Sequence, residues 1–125
     1  MKFGQLHHVE YYVDDLAASN EFWDWFMKEM DYKVYQKFGG GISWVHETGT
    51  YLVFVQAEAA HLNAKNNRHG SGLNQIAFCG KSLEHLQELE KNLRSKGVQI
   101  IKSDKMHICF ADPNQFAVEV FLPEA

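Results

Sequence analysis

The feature that most constrains this chain is that its pattern is written twice. Laying "HHVEYYVDDL" over "NQIAFCGKSL" matches strand-like residues with strand-like residues and sets Leu16 on Leu83, 67 positions apart. The later stretches "TYLVFVQ" and "FAVEVFL" repeat at nearly the same spacing. Agreement of two strands, a helix and a turn in order indicates an internal duplication rather than the chance echo found in any α+β domain.

Each copy runs strand, helix, then three strands. In the first, "HHVEYYV" is rich in β-branched and aromatic residues. Asp14 and Asp15 offer caps for a helix through "LAASNEFWDWFMKEM", whose apolar face is Leu16, Trp23, Phe26, Met27 and Met30. Strands follow at "YKVYQKF", "ISWVHE" and "TYLVFVQA", broken by "GGG" and "ETGT". The polar, aperiodic "EAAHLNAKNNRHGSG" reads as a linker.

In the second copy "LNQIAFC" is a strand, and Ser82 caps a helix carrying Leu83, Leu86, Leu89 and Leu93, with Gly97 as its stop. "VQIIK", "MHICFA" and "AVEVFL" complete it, with "DPNQ" as a tight turn. The expected organisation is one domain: module one at about 5–57, a linker at about 58–72 and module two at about 73–125.

A chain of 125 residues can bury a core without staples. Its net charge of −4 with scattered basic residues argues against nucleic acid as partner. No apolar run has signal-peptide or membrane-spanning length, so neither a leader nor a membrane is expected. Cys79 and Cys109 have no partners at metal-site spacing and read as small hydrophobes, which suits a reduced cytoplasmic location.

Side chains alternate faces along a strand. One parity, with Val9, Tyr11, Val13, Ile76, Phe78, Val118 and Val120, is apolar enough to lie under the helices, and His7 falls on it too. The other carries His8, Glu10, Gln75 and Glu119 beside Tyr12, Tyr51, Val55 and Phe121. That mixture is too aromatic for a plain wet surface and fits a pocket with a few converging polar groups. One imidazole and one or two carboxylates suit a divalent metal site with open positions. Glu119 as a plain rim carboxylate and His8 as a metal-free pocket histidine are the competing readings. His7, His61, His69 and His85 read as surface or linker histidines.

On these residues the chain resembles the vicinal oxygen chelate superfamily, which includes glyoxalase I, fosfomycin-resistance proteins, bleomycin-binding proteins and extradiol dioxygenases. "LHHVEYYVDDLAASNEFWDWFM" looks like its opening strand and helix. "GLNQIAF" looks like the second-module opening, usually seen with His after the Asn. "FADPNQFAVEVF" looks like the closing turn–strand–Glu motif. The resemblance covers essentially the whole chain. It implies an α+β fold of two tandem βαβββ modules forming a cup-shaped, mostly antiparallel sheet with the helices on its outer face, commonly completed as a homodimer.

The resemblance puts metal ligands at His8, Gln75 and Glu119. Val53 stands where glyoxalase I has a carboxylate. Gln75 is a neutral and poorer donor than imidazole; Glu10 and His107 are further candidates. The implied cofactor is a divalent metal (Zn, Ni, Mn or Fe), held weakly or not at all. The implied activity is that of a metal-dependent lyase or isomerase resembling lactoylglutathione lyase, acting on a small oxygen-chelating substrate. Glu119 and Glu10 are its catalytic candidates, with Tyr12, Trp44, Tyr51 and Phe121 as substrate walls. The alternative is a non-catalytic small-molecule or antibiotic-binding protein using the same cup without metal.

Overall fold

The computed structural model describes residues 2–63 and 69–123; residues 64–68 of the expected linker lie outside them. The chain divides into two compact units, Met1–Ala64 and Lys65–Ala125.

The first unit contains β1 (His8–Val13), α1 (Leu16–Glu29), β2 (Lys33–Phe38), β3 (Gly41–Val45) and β4 (Tyr51–Gln56), followed by a 3₁₀ turn at Ala59–His61. The second contains β5 (Gln75–Cys79), α2 (Leu83–Ser95), β6 (Ile100–Ser103), β7 (His107–Ala111) and β8 (Ala117–Phe121). The fold is therefore α+β, a βαβββ module written twice. Each module forms its own four-stranded sheet, in the orders β1-β4-β3-β2 and β5-β8-β7-β6. Both sheets are mixed: β1 runs parallel to β4 and β5 parallel to β8, while the remaining pairs are antiparallel.

The duplication extends to details that set the strand registers. Both helices begin on a side-chain cap: Ala18 N donates to Asp15 Oδ1 and His85 N to Ser82 Oγ, each at 3.1 Å. Both end in a Schellman motif. Asp31 N and Tyr32 N donate to the carbonyls of Lys28 and Met27; Gly97 N and Val98 N donate to those of Arg94 and Leu93. The left-handed residue is Asp31 in one module (φ 61°) and Gly97 in the other (φ 76°). The β2–β3 and β6–β7 hairpins each carry a register shift at the matching place, between Val34 and Gln36 and between Ile100 and Lys102.

The apolar parity packs under the helices as expected. In module one Trp23 lies 4.7 Å from Phe54 and 6.2 Å from Tyr11, ring centre to ring centre. Trp23, Phe26, Met27, Val13, Leu52 and Phe54 are buried. In module two Leu86, Leu89 and Leu93 of α2 are buried, as are Ile108, Phe110, Val118 and Val120. Leu83, expected on the same stripe, is 47% exposed, because it is the first residue of α2 and sits at the rim of a cleft with Gln87 and Asp104. Cys109 is buried, whereas Cys79 is exposed.

Candidate functional site

Register decides which side chains can meet. In the first unit His8, Glu10 and Tyr12 pair with Tyr51, Val53 and Val55 across the parallel β1–β4 ladder, so all six share the face away from α1. The His8 ring stacks on Tyr51, with centroids 4.6 Å apart and planes within 1°. Tyr35 approaches the same tyrosine at 5.4 Å. His8 Nε2 lies 3.1 Å from Glu10 Oε2. Val53 is buried in the middle of this face (6% exposed). Tyr12 is 62% exposed and lines, with Glu10, Tyr11 and Val55, a shallow cleft of about 130 Å³.

Two sequence readings are corrected here. Trp44 is not a wall of this face. It pairs with Leu52 across β3–β4, which puts it on the helix-covered parity, and it is fully buried. Its indole Nε1 has no hydrogen-bond partner among the described residues. Sequence parity could not orient β3, because the face depends on how Trp44 registers against β4. His7 is the second correction. It does not continue the Val9 side, because regular alternation begins only at His8. It turns instead to Tyr51 at 5.2 Å and brings its Nδ1 to 2.8 Å from His8 Nδ1. Strand entry hides such a neighbour from any period-two reading.

In the second unit Gln75, Ala77 and Cys79 pair with Ala117, Glu119 and Phe121, and Cys109 and His107 pair with Glu119 and Phe121. Gln75, Glu119, Phe121 and His107 therefore share a face. Gln75 Nε2 donates to Glu119 Oε2 at 3.5 Å, a long contact that leaves the amide oxygen and the second carboxylate oxygen as neighbouring donors. His107 is on the right face but is engaged with the β6–β7 turn, its Nδ1 3.0 Å from Asp104 Oδ2. That turn holds the Asp104 carboxyl below its ordinary range, chiefly through the backbone N–H of Met106 and then that of His107.

The registers also explain the carboxylate arithmetic of the duplication. Val53 on β4 occupies the place that Glu119 fills on β8, while module one carries its carboxylate one strand over, at Glu10 opposite Val53. The Gln75 amide oxygen and the second Glu119 oxygen are two neighbouring donors that suit an oxygen-preferring divalent cation. Among the described residues no three His, Cys, Asp or Glu side chains gather as a metal-holding group. Two larger clefts, about 460 and 490 Å³, lie elsewhere. Lys28 in the lining of one pairs with Asp24 at 2.9 Å, and Glu90 in that of the other with Arg94 at 3.1 Å. Among the described residues no helix is long and apolar enough to cross a membrane.

No family model matches the sequence. The chain is 37% identical to the Bacillus subtilis protein YqjT, itself uncharacterised, over 94% of this chain and 98% of that one. It is also 37% identical to a Bacillus halodurans protein of known crystal structure provisionally described as a glyoxalase, with a TM-score of 0.89 and 97% of each chain covered. A glyoxalase/bleomycin resistance protein/dioxygenase domain from a Frankia species shares the fold at TM-score 0.77 and 20% identity, over 98% of this chain and 94% of that one. So does the fosfomycin resistance protein FosX of Listeria monocytogenes, solved with Mn(II) and a sulfate ion, at TM-score 0.72 and 16% identity over 98% and 93%. By its identity to the Bacillus halodurans protein and the shared fold, the chain belongs to the glyoxalase/bleomycin resistance protein/dioxygenase, or vicinal oxygen chelate, superfamily.

Proposed function

We propose that this protein is a metal-dependent lyase or isomerase acting on a small substrate with two neighbouring oxygens, in the manner of lactoylglutathione lyase. The observation that carries the reading is the Gln75–Glu119 pair, an amide and a carboxylate held side by side on adjacent strands. The Mn(II) bound by FosX supports the choice of a divalent cation. When bound, such a cation would hold the substrate oxygens and stabilise the negative charge that develops on them. The proposed ligands are Gln75 and Glu119 on the second unit and His8 on the first. Glu119 carries the proton between adjacent carbons. Tyr12, Tyr51 and Phe121 supply apolar walls.

Calorimetric titration with Mn(II), Ni(II) and Zn(II) tests this. Weak binding is expected in the unaltered protein, tighter nickel or zinc binding in Gln75→His, and loss of binding in His8→Ala. Unchanged affinity in both variants would overturn the ligand set.

A second reading, a metal-free binding protein, is favoured by the stacked His8–Tyr51 pair and the adjoining Tyr35, a ready surface for a flat ligand. A homodimer belongs to either reading. The edge strand β2 is exposed along its whole length, with Val34, Tyr35 and Phe38 among the exposed apolar residues, and an open edge of that kind invites pairing with a second copy. Light scattering giving a monomer mass at micromolar concentration would refute it.

A further inference from the structure

The candidate ligand His8 is not a free imidazole: both of its ring nitrogens are engaged. Nε2 meets the Glu10 carboxylate at 3.1 Å, Nδ1 meets His7 Nδ1 at 2.8 Å, and the ring face lies on Tyr51. A carboxylate only accepts, so Nε2 carries the hydrogen and neutral His8 has its lone pair on Nδ1. His7 must then donate its own Nδ1–H into that lone pair. The main chain helps to hold His7 there, since Tyr51 N donates to the His7 carbonyl at 3.3 Å.

We infer that Glu10 and His7 are positioning residues for His8 with opposite effects: Glu10 fixes the tautomer that exposes Nδ1, and His7 occupies Nδ1 until a ligand displaces it. The inference rests on the proposed ligand role of His8, but its first test does not. Glu10 is thereby the carboxylate behind a ligating histidine, an arrangement that orients the ring, and it is not itself a ligand. His7 acts as a resident competitor.

Nitrogen-15 NMR of the metal-free protein at about pH 8, above the ordinary imidazole pKa of about 6.5, reads the tautomer directly. The unaltered protein and His7→Ala should show His8 as the Nε2–H form. Glu10→Ala should lower the Nε2–H population, and Glu10→Gln, whose amide oxygen still accepts, should keep it at the level of the unaltered protein. An Nδ1–H tautomer in the unaltered protein overturns the inference.

Calorimetry with Mn(II) alone supplies the second arm. His7→Ala removes one hydrogen bond that the cation must break, so affinity should rise roughly two- to tenfold. His7→Gln, which can still donate to Nδ1, should restore the original value. Glu10→Ala should weaken binding by about tenfold, the low end of the range for residues behind a metal ligand because Glu10 is exposed. Weaker or unchanged binding in His7→Ala overturns the displacement step. If no form of the protein binds Mn(II), the metal reading of the preceding section fails, and the tautomer measurement alone decides the inference.

Discussion

Gly97 has φ 76° at the Schellman position of α2, and a Cβ built on it would meet nothing within 4 Å. Substituting alanine therefore introduces no clash, and the effect is one of backbone preference alone. A left-handed conformation costs an L-residue roughly 1–2 kcal/mol. Alanine also reduces the freedom of the unfolded chain, which returns about 0.5 kcal/mol. The net expectation for Gly97→Ala is a loss of about 1 kcal/mol. With a urea m-value of roughly 1–3 kcal/mol/M, the midpoint should fall by about 0.3–1 M at unchanged slope. Gly97→Asn should lose about half as much, since its short amide tolerates the left-handed region. Module one already makes that compromise with Asp31 at φ 61°. Equal losses in the alanine and asparagine variants, or a neutral alanine variant, would refute the backbone account.

Three further outcomes are expected. Asp112 is buried and its Oδ1 accepts from the N–H groups of Asn114 and Phe116, both at 2.8 Å; at about 1.5 kcal/mol per charge-assisted bond, Asp112→Ala should cost about 3 kcal/mol by urea denaturation, while Asp112→Asn keeps the one oxygen that accepts both bonds and costs about 1 kcal/mol. Trp44→Ala should destabilise by roughly 3–5 kcal/mol, whereas a pocket wall would cost ligand affinity and leave the midpoint in place. The Glu90 carboxyl is held below its ordinary range, first by the Ser103 hydroxyl and then by Arg94. A lowered folded pKa gives stability that is present above the unfolded value of about 4.3 and lost as pH falls through the folded one. Ser103→Ala should therefore raise the Glu90 pKa in an NMR pH titration; an unmoved value would show that the hydroxyl is not the cause.

Much of this architecture was legible because it depends on residues close together in sequence. Alternation in "HHVEYYV" and "AVEVFL", the leucines of α2, the Asp15 and Ser82 caps and the Gly97 stop are local signals, and each element appears where its signal lies. The repeat set their order, because two similar stretches under the same local rules fold alike. Period-two alternation also put His8 with Glu10 and Gln75 with Ala77 on common faces, since that spacing is fixed within a single strand. What tertiary structure alone decided is every relation between strands. Trp44 went to the core because β3 pairs with β4 in the one register that sets it beside Leu52. Gln75 reached Glu119, 44 residues away, because the crossover lays β5 parallel to β8. His7 met His8 because the chain enters the sheet one residue later, at a point where sequence periodicity has not yet begun. Local sequence fixes which way a side chain points from its own strand; hydrogen-bond register, chosen by the packing of the whole module, fixes what it meets.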